Sequence, residues 1–98
     1  MAARELHKTE HYNMYYAYVL RSLIASRFYI GIAEDVEQRV VEHNAGKTKS
    51  TKGYRPLVLF FKEEFETRAE ARARELYLKS GSGREFIKIK WSNKDFLK

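Results

Sequence analysis

Two short apolar runs set close together constrain this chain more than any other feature. The first, Tyr15-Tyr16-Ala17-Tyr18-Val19-Leu20, is aromatic and β-branched, uncharged, and apolar on both alternating faces. A run of that kind suits a central strand, with side chains packed above and below it. A polar break over residues 21–27 leads into the second run, Phe28-Tyr29-Ile30-Gly31-Ile32. Its alternation puts Phe28, Ile30 and Ile32 on one face and Tyr29 and Gly31 on the other. So short a break predicts an antiparallel hairpin.

Punctuation in the rest of the chain organises it around that hairpin. Asp35, with Gln38 three residues on, reads as a capping box. It opens a helix over 35–45 whose apolar stripe is Val36, Val40 and Val41 and which Gly46 ends. Residues 46–55, GKTKSTKGYR, carry Lys47, Lys49, Lys52 and Arg55 with no anion and have the composition of a loop. Pro56 then introduces a third strand over 57–61. Thr67 with Glu70 makes a second capping box for a helix over 68–79 closed by Gly81. Ser82 with Glu85 makes a third, starting a last helix that runs to Trp91. The expected class is α/β (α+β): a small three-stranded, mostly antiparallel sheet flanked by helices, in the order β-β-α-β-α-α. Residues 1–13, polar and without a period, are expected to form a mobile extension, and 14–98 one domain.

Composition narrows what such a fold can do. The chain of 98 residues has no cysteine, which excludes disulfides and Cys-based zinc sites. His7, His11 and His43 are too scattered to form a zinc site alone. No apolar stretch approaches the length of a membrane span, and the N-terminus lacks a signal-peptide core, so a cytoplasmic location and no membrane partner are expected. Nineteen Lys and Arg against thirteen Asp and Glu leave a net charge of +6, which suits a polyanionic partner.

Several residues sit oddly in this pattern. Arg39 and His43 fall along the edge of the valine stripe, where a guanidinium must find an acceptor or reach water. Gly31 interrupts a strand interior, the usual mark of a bulge or a close approach by another group. Tyr15, Tyr16 and Tyr18 crowd one strand beside Tyr29 on the next, and buried phenols need hydrogen-bond partners. Glu75 lies among Ala71, Leu76 and Leu78 rather than on the far side of its helix, with Lys79 in reach at i+4.

Read in order, these residues resemble the signature of the GIY-YIG nuclease family. Tyr16-Ala17-Tyr18 stands in the GIY place, Tyr29-Ile30-Gly31 in the YIG place, and Arg39 follows eight residues after the glycine. His43-Asn44 comes next, and Glu75 stands where the family keeps a single metal-binding Glu. The likeness covers 14–91 and is greatest to small single-domain members, similar to the nuclease domain of the bacterial excinuclease C subunit. Two departures stand out: Tyr16-Ala17 replaces Gly and Ile, and Ala33 stands where many relatives carry Thr.

The resemblance implies a metal-dependent endonuclease that hydrolyses nucleic-acid phosphodiesters, with Tyr18, Tyr29, Arg39 and Glu75 as catalytic residues. It implies Mg²⁺ or Mn²⁺ on Glu75, acting as a Lewis acid. Arg39 would grip the scissile phosphate through two donors, and the tyrosines would orient and deprotonate water. A phenol titrates near 10, so a tyrosine base needs its pKa drawn down. His43, Lys47, Lys49, Lys52, Arg55 and Lys79 are the candidate nucleic-acid contacts. DNA stands ahead of RNA as substrate, with cleavage directed by structure or backbone in the context of DNA repair. A protein partner could supply specificity. The competing reading is a catalytically silent nucleic-acid-binding module of the same fold.

Overall fold

A computed structural model describes residues 13–93. The extension expected at 1–13 lies outside the described residues except for its last position. Strands β1 (Tyr15–Ser22), β2 (Phe28–Ala33) and β3 (Leu57–Phe65) form one sheet in the order β2-β1-β3. Both pairings are antiparallel, with Tyr18 opposite Gly31 and Leu20 opposite Tyr29 in the hairpin. Helix α1 (Val36–Asn44) and a single turn, α2 (Lys49–Lys52), precede β3; α3 (Arg68–Lys79) and α4 (Gly81–Ser92) follow it. Among the described residues, no helix is long and apolar enough to cross a membrane.

The central position of β1 explains its composition. Ala17, Tyr18, Val19 and Leu20 are all fully buried, because helices cover both faces of the sheet. One face packs Ala17, Val19 and Ile30 against Leu78 of α3 and Ile87 of α4. The other packs Tyr18, Leu20 and Leu57 against Val36 of α1. Each such aliphatic burial contributes about 1.5–3 kcal/mol. Strand β3 outruns its apolar stretch by four residues, since Lys62 and Glu64 can face water while Glu63 pairs with Arg74 of α3 at 2.7 Å. The register skips Phe60 between Val19–Phe61 and Leu20–Leu59, a bulge that leaves both phenylalanines packed on the α3–α4 side.

Three local expectations need correction. Val41 is exposed, while Val36 and His43 are buried; the inward stripe of α1 is rotated so that the histidine faces the interior. The basic segment is not all loop: Lys52 N donates to Thr48 O at 3.0 Å, making the turn of α2. Ser80, not Ser82, caps α4. Its hydroxyl donates to Tyr77 O at 2.6 Å and accepts from Gly83 N at 3.2 Å, ending α3 and starting α4 in one residue. The chain turns so tightly there that a Cβ on Gly83 would lie 2.0 Å from Tyr77 O.

Candidate active site

Tyr18 is the hub of the site, and Gly31 lets it be so. The two residues face each other across the hairpin, and the phenol lies over the glycine, its oxygen 2.8 Å from where a Cβ would stand. From there the Tyr18 hydroxyl reaches His43 Nε2 at 3.2 Å. The ring of Tyr29 packs against the same imidazole, centroids 4.6 Å apart, and lies 6.2 Å from the Tyr18 ring. Tyr18 is wholly buried, whereas Tyr29 is half-buried.

Behind His43 stands a residue that the sequence pattern does not single out. His43 Nδ1 is 2.8 Å from Thr51 Oγ1, and that hydroxyl faces Thr48 O at 3.4 Å. With the threonine donating to the carbonyl, Nδ1–H donates to Thr51 and the Nε2 lone pair points at Tyr18. Burial, and then the charge of Arg39, hold the His43 pKa below its ordinary value, with Glu42 opposing them. The imidazole is therefore neutral near pH 7. The two hydroxyls of Thr48 and Thr51 amid lysines are the one trace this leaves in the sequence.

Arg39 finds its acceptor one turn on. Its Nη1 donates to Glu42 Oε1 at 2.6 Å, with the guanidinium about one-third exposed. It also lies near enough to the Tyr18 phenol for the two to shift each other's pKa. Burial nevertheless dominates that phenol and, together with Tyr29 and Glu75, raises its pKa against the lowering effect of Arg39. The downward shift expected of a tyrosine base is thus absent, and the shift runs the other way. The contact of the desolvated neutral phenol with His43, rather than a stabilised phenolate, holds the resting site.

Glu75 lies on α3, in the layer on the opposite face of the sheet from Tyr18, and its charge adds the smallest of the effects that raise Tyr18. Ala71, Glu75 and Leu78 form the buried stripe of that helix, and Leu76 turns out to solvent. Burial pushes the Glu75 carboxyl up, but hydrogen bonds from Arg72 (2.7 Å) and Lys79 (3.0 Å) outweigh it and hold the pKa below the usual range. Glu75 is therefore an ionised carboxylate, as a hard-cation ligand must be. Among the described residues no three His, Asp or Glu side chains gather into a metal-binding group. A single carboxylate suits Mg²⁺, which keeps several waters and takes further oxygens from a phosphate.

The remaining candidates spread around this centre. Lys47, Lys49, Lys52 and Arg55 are exposed on and around α2, and Arg55 Nε is tied to Lys52 O at 2.8 Å. Lys79 is bound to Glu75 rather than lying free. Asn44 plays an architectural part: its amide donates to Leu57 O and accepts from Leu57 N, both at 2.8 Å, clipping α1 to the start of β3.

Fold and site together define the class. The chain belongs to the GIY-YIG family, whose catalytic-domain pattern matches residues 14–90. Within that family it is similar to the UPF0213 proteins. It is 37% identical over 76 residues to one from Staphylococcus saprophyticus, covering 76% of this chain and 92% of the relative. It is 39% identical over 67 residues to one from Halobacterium salinarum, covering 67% and 86%. No solved structure gives a significant match. GIY-YIG domains are in general endonucleases that use divalent metals, so a nuclease-type function on nucleic acid follows for this chain in that general form.

Proposed function

We propose that this protein is a metal-dependent endonuclease that cuts DNA by recognising backbone and local structure rather than base sequence. The observation that carries the reading is the contact between the Tyr18 hydroxyl and the neutral, acceptor-oriented Nε2 of His43. It gives the tyrosine a way to take a proton from water without a depressed pKa.

In this mechanism Arg39, which lies near the Tyr18 phenol, grips the scissile phosphate through two donors, and a water meets that phenol beside it. Glu42 keeps the guanidinium oriented. As the water oxygen bonds to phosphorus, its proton passes to Tyr18 Oη and the Tyr18 proton passes to His43 Nε2. The bond from phosphorus to the leaving oxygen breaks, and that oxygen takes a proton from solvent. His43 then returns its proton to solvent. Thr51 holds the imidazole in the tautomer this requires, and Tyr29 packs its ring. A divalent ion held by Glu75 would supply Lewis-acid stabilisation of charge on the leaving oxygen.

Contacts flanking the cut fall to Lys47, Lys49, Lys52 and Arg55, which meet phosphates and carry no base information. The reading is tested by incubating the protein with plain, flapped and branched DNAs and RNAs, with Mg²⁺ or Mn²⁺ and with chelator. Cleavage of DNA that needs the metal is the expected result. Tight binding with no cut product under any condition would instead favour a silent binding module.

A further inference from the structure

A second cationic site lies beyond the catalytic residues. Helix α4 presents Arg84, Ile87, Lys88 and Trp91 at i, i+3, i+4 and i+7, one face of the helix. Together with Arg21, Arg27 and Phe28 this face walls a cleft of about 370 Å³. Four cations line it and no carboxylate does. None of the four is in an ion pair among the described residues. Arg21 is held as part of the wall, its guanidinium over the rings of Phe28 at 5.2 Å and Trp91 at 4.7 Å, and donating to Ser22 O and Ala25 O. Arg27, Arg84 and Lys88 are exposed, Arg27 with its guanidinium over the Tyr54 ring at 4.4 Å and Arg84 with its Nε donating to Lys79 O at 3.1 Å.

Like charges gathered without counter-charges repel one another, and a bound anion relieves that repulsion. The wall between them is aromatic, which adds a surface for a flat apolar ring. The cleft falls in the size range of small-ligand sites, with room for one nucleotide and none for a base pair with both its backbones. Two of its lining residues, Arg27 and Phe28, also line a smaller, separate cleft with Tyr29 and Thr51.

We propose that this cleft holds one unpaired nucleotide of the substrate strand, its phosphate on Arg27, Arg84 and Lys88 and its base against Phe28 and Trp91. The proposal rests on the reading of the protein as a nuclease and adds to it a preference for substrates with an unpaired flank. Such a site would hold the strand as it leaves the Tyr29 side of the catalytic centre.

Trp91 is the only tryptophan of the chain, so its emission reports on the cleft directly. In chelator, where no cleavage occurs, the protein is titrated with a short single-stranded oligothymidine, with a hairpin duplex of matched charge, and with inorganic phosphate. Binding is followed in parallel by the anisotropy of labelled oligonucleotide. The expected result is a saturable change in Trp91 emission with the single strand alone. Arg84→Gln with Lys88→Gln should weaken that binding at least tenfold, while Glu75→Gln leaves it unchanged or tighter. A 5-iodouracil strand should crosslink to Phe28 or Trp91 in the unaltered protein. Equal responses to duplex, or anisotropy showing binding while Trp91 stays silent and uncrosslinked, would overturn the cleft and leave the nuclease reading intact. Absence of nucleic-acid binding by either readout would overturn both.

Discussion

The phenol of Tyr18 occupies the space that a side chain on Gly31 would need, with Oη 2.8 Å and Cζ 2.9 Å from the site of a Cβ. Gly31→Ala must therefore displace a buried, rigid ring from its contact with His43. The expected cost is about 1–3 kcal/mol of stability, as for other overpacked interiors. Cleavage should fall more steeply than stability does, because the hydroxyl loses its acceptor. Denaturant melts and single-turnover rates on the same preparation check both. A variant as stable and as fast as the parent would show that Tyr18 does not depend on this gap.

Asn44 makes a different kind of demand. Its amide satisfies both the N–H and the C=O of buried Leu57. Asn44→Ala leaves both backbone groups without a partner, and each buried unsatisfied group costs about 1–3 kcal/mol. A clear drop in thermal midpoint is expected, with the salt dependence of nucleic-acid binding unchanged. A neutral melt would mean that water or a shift of β3 replaces the clip.

His43 should give the protein a recognisable acid limb. Burial lowers its pKa in the folded state from the ordinary 6.5. As pH falls, the unfolded chain takes up the proton first, so this contribution to stability is intact above about 6.5 and declines below it toward the folded pKa. Cleavage should decline in the same direction with an apparent pKa below 6.5, since a protonated imidazole cannot accept from Tyr18. Neighbouring cations hold the carboxyls of Glu37, Glu42 and Glu75 below their ordinary range. Melts and rates of the parent and His43→Gln across about pH 8 to 5 provide the check. Retention of the same acid limb in His43→Gln would contradict the assignment.

Replacing Lys47, Lys49, Lys52 and Arg55 with Gln separates phosphate binding from solvated charge. For every phosphate that the variant no longer grips, the log–log salt slope of binding should shrink by about 0.7–0.9. The effect should be alike for strands of different sequence. Stability should move by less than about 0.5 kcal/mol, because these side chains are exposed. An unchanged slope would route the substrate elsewhere, with the cleft of Arg84 and Lys88 the next surface to test.

Much of this arrangement is legible in the sequence. The hairpin, the capping box at Thr67, the helical end of the chain and the anomaly of Gly31 all express local chemistry, which spacing and residue type carry directly. The hidden parts depend on rotation and on distant pairing. At about 100° per helix residue His43 lies within about 20° of Val36 and Val41 about 140° from it, so counting apolar residues rather than angle puts the wrong one of the two inside. Thr51 and Leu57 lie eight residues beyond His43 and thirteen beyond Asn44, and they become visible as partners only once the chain has folded back. Ser80 escapes notice because a cap shared by two helices looks like the end of one.

The central claim is that Glu75 makes the reaction depend on a metal while taking no part in holding nucleic acid. Single-turnover cleavage by Glu75→Gln, read beside its affinity for the same strand, tests this most directly. Cleavage should be abolished with either Mg²⁺ or Mn²⁺. Affinity should be equal or higher, since Arg72 and Lys79 lose the carboxylate that now neutralises them. Cleavage at the parental rate by this variant would contradict the account.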